Sequence, residues 1–321
     1  GSRHCDKDTP YARIFFRNMT HKKKIAVVTG GAGFIGTNLV KELLARGYDV
    51  RVIDNLAAGK RENVPAEASL HVVDIQDAVA LPPLLKDAHA VFHLAALPRI
   101  EYSIQHPKET HEVNVTGTVN VLASVEKGTR VIFASSAAVY GEIDAPLLSE
   151  DLPAAPVSPY GLHKYVSERY LALANRLYGT QTVSLRFFNV YGPGLDPDGP
   201  YALVVGRFLK LRKEGKPLTI TGDGNQTRDF IHVHDIVAAL IAVSESSKVG
   251  KGEIINVGTG RGTSINELAD AFGGEREYVP PRIEPRTSCA DIARAKTLFD
   301  FTASVSLTDG ISQLKREWGI I

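Results

Sequence analysis

From Lys24 onward, short runs that are apolar at nearly every position alternate with longer stretches whose apolar residues recur at helical spacing. KIAVVT (24–29), DVRVID (49–54), SLHVVD (69–74), AVFHLA (90–95), RVIFAS (130–135) and TVSLRF (182–187) predict strands covered on both faces. Helical stretches separate most of them, so the prediction is an α/β fold with a doubly wound parallel sheet. After about Phe188 the alternation fails and the chain turns rich in Gly and Pro, as in NVYGPGLDPDGPY, which predicts a second, smaller lobe. RDFIHVHDIVAALIAV (228–243) then predicts a strand, an N-cap at Asp235 and a helix, and EIINVG (253–258) one more strand. The expected division is 19–188 for the sheet domain, with about 228–258 returning to it, and 189–227 with 259–321 for the smaller lobe.

VVTGGAGFIG places Gly30, Gly33 and Gly36 between the first strand and the apolar-periodic helix 34–46, which Phe34 and Ile35 open. Glycines there permit a tight turn, close approach of backbone to a pyrophosphate and close helix packing, while the helix N-terminus faces the phosphate charge. Asp54 closes the second strand 18 residues after Gly36. A carboxylate at that point takes both ribose hydroxyls of NAD and repels the 2′-phosphate of NADP, so NAD is the expected cofactor. Asp74, after the third strand, belongs either to the adenine end of that site or to a plain turn, and Asn55 and Ile75 go with the two acids.

SPYGLHKY (158–165) reads as a helix start, with Ser158 as cap and Pro159 in the first helical position. Tyr160 and Lys164 then share a face. An ammonium beside a phenol favours the phenolate, which would ready Tyr160 to take a proton near neutral pH. Taken alone, the octet fits a solvated helix face equally well.

Composition narrows the classes. With 44% hydrophobic and 23% charged residues the chain has the make-up of a globular protein with a sizeable core. Its 37 basic and 36 acidic residues give a net charge of +1, with no footprint for nucleic acid or an anionic membrane. Cys5 and Cys289 lie far apart without metal-binding spacing, so neither a disulfide framework nor a zinc site is expected; a reducing cytoplasm fits. His232 and His234 in IHVHD are read as structural, and no metal is expected. The longest apolar run, IVAALIAV, has eight residues, well short of the roughly 20 needed to span a bilayer. Residues 1–18 precede the single methionine, Met19, and begin with Gly-Ser; they are read as a vector-derived or leader segment and set aside.

The glycine loop, HLAA (93–96), FASSAAVYG (133–141) and the pair Tyr160 and Lys164 together resemble the extended short-chain dehydrogenase/reductases, and among them the nucleotide-sugar epimerases. The resemblance runs from about Lys24 to Trp318. It implies a Rossmann-like fold with a smaller C-terminal substrate-binding lobe, NAD kept bound, and a nucleoside-diphosphate sugar as substrate. Tyr160 would be the acid/base, Lys164 would hold the nicotinamide ribose and lower the tyrosine's pKa, and Ser136, with Ser135 beside it, would hydrogen-bond the reacting hydroxyl. Leu94, Ala95, Ala96 and Phe187 would line the coenzyme. Asn114 matches the family's helix asparagine and reads equally as a buried amide satisfying backbone at a bend. Dehydratases of this superfamily carry an Asp-Glu pair where this chain has Ala137 and Ala138, and the related decarboxylases keep an acid at the position of Ala138. What remains is a 4-epimerase, although epimerases often have threonine in place of Ala138.

The same resemblance places Phe188, Asn189, Val204, Arg228, Arg282, Glu284 and Ser288 around the substrate. Asn189 and Arg228 would meet the diphosphate, and Arg282 with Glu284, or Arg286 in place of Arg282, the phosphate and uridine ribose. Ser288 is small where relatives restricted to plain hexoses carry a bulky residue, which points to UDP-N-acetylglucosamine and UDP-N-acetylgalactosamine, with UDP-glucose and UDP-galactose also admitted. Arg99 falls near the sugar without an assigned role. Helices near 106–126 and 159–178 would form a homodimer interface, or pack entirely within one chain. A catalytically silent NAD-binding regulator, the reading from another class, would be expected to have lost Tyr160 or Lys164.

Overall fold

The computed structural model describes residues 23–143, 145–197, 204–281 and 286–320. Residues 1–18, Cys5, Arg282 and Glu284 therefore lie outside the described residues. In chain order the strands are β1 (Ile25–Thr29), β2 (Asp49–Asp54), β3 (Ser69–Val72), β4 (Ala90–His93), β5 (Arg130–Ser136), β6 (Gln181–Phe187), β7 (Asn189–Tyr191), β8 (Leu218–Thr221), β9 (Thr227–Arg228), β10 (Phe230–His232), β11 (Lys251–Val257), β12 (Thr263–Ser264) and β13 (Arg276–Val279). The helices used below are α1 (Phe34–Ala45), α2 (Leu81–Leu85), α3 (Ile100–Gln105), α4 (Pro107–His111), α5 (Gly117–Ser124), α6 (Pro159–Tyr178), α7 (Val204–Lys213) and α8 (Val233–Glu245). Beyond them run α9 (Ile265–Phe272), α10 (Ala293–Phe299) and α11 (Leu307–Glu317).

Seven strands form one parallel sheet in the order β11, β6, β5, β4, β1, β2, β3. Strand order reverses between β1 and β4, and ligands of such sheets bind outside the carboxyl ends of the strands at that switch point. Alternation within single strands accounts for the two-sided core. Ala26 and Val28 of β1 pack with Leu39, Leu43, Leu240 and Ile241 on one face, whereas Ile25 and Val27 pack with Leu81, Leu85 and Val121 on the other. The apolar runs of the inner strands are doubly covered, but the expectation for SLHVVD is corrected: β3 ends the sheet, with Ser69 and Val72 exposed and Leu70 and His71 half-buried, because an edge strand has a neighbour on one side only.

A separate apolar cluster joins Phe208 and Leu209 of α7, Leu218 and Ile220 of β8, Leu268 and Phe272 of α9, and Ile311 and Leu314 of α11. β11 returns to the main sheet beside β6, while β7 pairs with β10, β8 with β13 and β9 with β12 outside it. Among the described residues no helix is long and apolar enough to cross a membrane.

The expected N-cap at Asp235 is corrected. α8 starts three residues earlier, capped by His232, whose ring accepts the His234 N–H at 3.3 Å. Asp235 lies in the first turn, where its buried carboxylate accepts the N–H groups of Ser304 and Val305 at 2.9 and 3.1 Å. The acid that looked like a local helix start is a tie to the C-terminal segment.

Candidate active site

The glycine loop is shaped by contacts that exclude side chains. Gly30 has φ +72°, and a Cβ there would meet the Ala95 nitrogen at 2.7 Å; a Cβ on Gly36 would run into the Gly30 carbonyl. Gly33 differs, since its nearest neighbour would stand at 3.4 Å. It caps α1 without a side-chain hydrogen bond, and the first turn, with Phe34 and Ile35, carries no acid. This helix end suits an anion, so the loop fits the pyrophosphate of a dinucleotide. Asp54 is buried; its Oδ2 accepts the Ala32 N–H at 3.0 Å and its Oδ1 the Leu56 N–H at 2.8 Å. A carboxylate has about four acceptor sites, so two remain for ribose hydroxyls. Asn55 donates to Asp74 at 2.7 Å, and Asp74 also accepts the Gln76 N–H at 2.8 Å, next to the buried Ile75.

Behind Leu94, Ala95 and Ala96 runs a chain that the sequence reading missed. Ala95 N–H donates to Thr29 Oγ1 (3.3 Å), Thr29 Oγ1 meets His93 Nδ1 (2.7 Å), and His93 Nε2 meets Thr118 Oγ1 (2.9 Å). Burial, with Lys164 as a smaller influence, pushes the His93 pKa down to about 3, so the ring is neutral. The signal was present in the histidine of HLAA (93–96).

Ser158 caps α6 by accepting the Gly161 N–H at 3.1 Å, with Pro159 next. A Cβ on Gly161 would meet the Ala138 carbonyl oxygen at 2.5 Å, so glycine lets the start of α6 lie against the turn Ala137–Tyr140 that follows β5. That approach brings the Ser136 hydroxyl close enough to the Tyr160 phenol to draw its pKa down. The Tyr160 N–H is held by Ser103 Oγ of α3 at 3.1 Å, a second contact without a sequence signal.

Lys164 departs from expectation. Its Nζ donates to the Ala134 carbonyl at 2.7 Å and stands 4.6 Å from the Phe133 ring centroid and 5.8 Å from that of Tyr160. Burial pushes the Tyr160 phenol up to about 12, with the nearby Ser136 hydroxyl working against it. Burial likewise pushes Lys164 down to about 7, opposed by Glu168. The expected depression of the tyrosine by the lysine is therefore corrected: desolvation outweighs the ammonium, which is directed at a backbone carbonyl.

The two serines part company. Successive strand residues face opposite sides of a sheet. Ser136 turns to Tyr160, while Ser135 is buried and donates to Glu168 Oε1 at 2.6 Å. The pairing of Ser135 with Ser136 in one catalytic role is thus corrected. Glu168 also binds Arg186 through two hydrogen bonds of 2.8 Å, an ion pair unread in the sequence. Asn114 lies in a π-turn (Glu112–Thr116); its amide exchanges two hydrogen bonds with the Leu97 backbone at 2.7 and 3.0 Å. Its own carbonyl accepts Thr118 Oγ1 and Ser167 Oγ, which occupies a group displaced from the regular helix ladder. The family asparagine and the bend-satisfying amide are one residue.

A profile of the NAD dependent epimerase/dehydratase family matches residues 26–258. The chain belongs to this family. Among relatives of this epimerase/dehydratase, the UDP-glucose 4-epimerase of Mycolicibacterium smegmatis is 38% identical over 306 residues, covering 89% of this chain and 96% of that protein. The solved UDP-glucose 4-epimerase of Thermotoga maritima, with UDP-glucose, has a TM-score of 0.85 at 35% identity, covering 92% of this chain and 98% of that one. The UDP-N-acetylglucosamine 4-epimerase of Methanobrevibacter ruminantium, in complex with UDP-N-acetylmuramic acid, has a TM-score of 0.84 at 33% identity, covering 92% and 99%. The family's coenzyme, NAD, fits the cradle formed by the glycine loop and Asp54.

At the substrate end of this epimerase/dehydratase the candidates divide. Phe187 and Phe188 are both buried, Phe187 in the sheet core and Phe188 against Val139, Tyr140, Leu148 and Ala290. Asn189 opens β7, tied by its N–H to the Asp229 carbonyl at 2.9 Å, and Val204 opens α7, packed partly on the second cluster. Arg228 Nη1 donates to the Thr227 carbonyl at 2.8 Å. Arg286 forms a two-pronged pair with Asp223 at 2.9 and 3.1 Å, which places its guanidinium on a side chain of its own chain. Ser288 is half-buried and its N–H is held by the Thr227 carbonyl at 3.1 Å. Arg99 is exposed at the N-cap of α3. Among the described residues no group of three or more His, Cys, Asp or Glu is placed to hold a metal.

Proposed function

We propose that the chain interconverts the C4 epimers of a UDP sugar through a 4-keto intermediate. UDP-N-acetylglucosamine and UDP-N-acetylgalactosamine are the preferred pair, with UDP-glucose and UDP-galactose also accepted. The observation that carries this reading is the placement of Ser136 beside Tyr160, with Lys164 one turn on and only the methyl groups of Ala137 and Ala138 after the serine. NAD, when bound, supplies the hydride acceptor for C4 and the hydride donor for the return.

In its phenolate form Tyr160 takes the proton of the 4-hydroxyl and, as the phenol so formed, gives it back to the 4-oxygen, so a full cycle consumes neither protons nor coenzyme. Ser136 donates to the reacting oxygen and orients it. Its hydroxyl beside Tyr160 also pulls the phenol pKa in the direction that proton abstraction requires. Lys164, buried beneath Tyr160, would hold the ribose hydroxyls next to the nicotinamide. Loss of water from C6 would need an acid and a base beyond the serine, and two methyl groups supply neither. That disfavours the dehydratase reading.

Support for the hexosamines comes from Ser288, a small side chain held by backbone where a bulkier one would fill the space of an N-acetyl group. A roomy pocket rejects a smaller sugar weakly, hence the second substrate pair. The NAD-binding unit would comprise 19–188 with about 228–258, and the substrate lobe 189–227 with 259–321. The exposed stripe Leu162, Tyr170, Leu173 and Leu177 on α6, with Ile100 and Ile104 of α3, supports a homodimer, and the free, buried Cys289 accords with a cytoplasmic setting.

Separate incubation with UDP-N-acetylglucosamine and UDP-glucose, with the products resolved, tests the reading. The 4-epimer is expected from both, faster from the hexosamine. No epimer from UDP-N-acetylglucosamine would overturn the Ser288 argument, and release of a 4-keto-6-deoxy sugar would overturn the case against dehydration.

A further inference from the structure

Glu168 stands one helical turn beyond Lys164, with its side chain 0% exposed. Its Oε1 accepts both Ser135 Oγ (2.6 Å) and Arg186 Nε (2.8 Å), and its Oε2 accepts Arg186 Nη2 (2.8 Å). Ser135 and Arg186 are direct partners across β5 and β6, and the next pair in register is Ser136 with Phe187. One carboxylate thus ties the helix that carries Tyr160 and Lys164 to both strands, at the level of the serine that meets Tyr160. The anchor extends further: Arg186 lies 4.7 Å from the Tyr140 ring centroid, and Tyr140 donates to Asn256 Oδ1 at 2.7 Å.

Stability alone does not account for such a group, because apolar residues of similar volume commonly hold a core as well as a buried ion pair does. A carboxylate adds fixed hydrogen-bond geometry and a charge beside the reacting centre. We propose that Glu168 is a positioning residue for that centre, acting through Ser135 on the contact between Ser136 and Tyr160 and through its charge on the ammonium of Lys164. The proposal rests on the reading of Tyr160 as the acid/base. Several groups face this region: Tyr160 and His163 on α6, His93 on β4, and Arg186 on β6, with His111 of α4 standing 5.3 Å from His163. Glu168 is the anion among them, and burial of Lys164 opposes the charge that Glu168 favours.

The test compares Glu168→Gln, Glu168→Asp and Ser135→Ala in the NAD-loaded enzyme, following kcat and KM for a UDP sugar from neutral to alkaline pH. Glu168→Gln should lower kcat about tenfold with KM within about twofold, and move the alkaline loss of turnover down by about one pH unit. Glu168→Asp keeps the charge and shortens the reach, so kcat should fall while the alkaline limb stays at its wild-type position. Ser135→Ala should fold and lose about tenfold in kcat with the limb unmoved. A Glu168→Gln profile that superimposes on wild type, or Ser135→Ala turnover within about twofold of wild type, overturns the proposal. Should Glu168→Gln not fold, Ser135→Ala decides alone. NMR titration of the Lys164 side chain in wild type and Glu168→Gln reads the charge effect without turnover, so its failure is distinguishable from an error about Tyr160.

Discussion

Ser136, at the end of β5, stands beside Tyr160, in the first turn of α6, and draws its phenol pKa down against the effect of burial. The contact exists because Gly161 lets the helix start press against the Ala138 carbonyl. Replacing Ser136 with Ala removes the donor proposed for the reacting oxygen and the one influence that lowers the Tyr160 pKa. Turnover should fall about 10²-fold with KM little changed, measured by initial rates on a UDP sugar.

Asp54→Asn should exchange coenzyme preference. The amide keeps an acceptor for one of the two N–H groups, from Ala32 and Leu56, that Asp54 now holds, and it loses the charge that repels a 2′-phosphate. NAD affinity should drop about tenfold while NADP affinity rises, as read by calorimetric titration of both coenzymes against coenzyme-free protein.

His93 makes stability sensitive to acid. Its folded pKa, about 3, lies below the ordinary 6.5, so the unfolded chain takes up a proton that the folded chain refuses. The contribution is fully present above pH 6.5 and declines as the pH falls toward 3, in total on the order of a few kcal/mol. His93→Gln should show a smaller drop in Tm between neutral and mildly acidic buffer than the wild type does.

The exposed face of α6 predicts assembly. Leu173 is 46% and Leu177 63% exposed on one stripe, so Leu173→Glu with Leu177→Glu should convert a dimer to a monomer in light scattering, with helix content retained. A wild-type protein that is already monomeric would remove the basis for this stripe as an interface.

Much of the sheet was legible because its inner strands are doubly covered, whereas β3 at the edge is not. DVRVID has the same bounds in sequence and structure, since nothing in the run competes with the strand reading. Asp235 was misread because the groups that claim its carboxylate, Ser304 and Val305, come from a distant segment. Strand period alone could have separated Ser135 from Ser136. The direction of Lys164 and the bond of Glu168 to Arg186 depend on how α6 sits on β5 and β6, which spacing along the helix does not encode. The segment of Arg282 and Glu284 was reached by resemblance alone, and its neighbour Arg286 turns to Asp223.

Tyr160→Phe removes only the hydroxyl that is held here as a neutral phenol against Ser136. Turnover of UDP-N-acetylglucosamine by the NAD-loaded variant, compared with wild type at equal coenzyme occupancy and equal Tm, tests the central claim most directly. A loss of at least about 10²-fold in kcat is predicted. Turnover within about twofold of wild type would contradict the assignment of Tyr160 as the group that moves the proton.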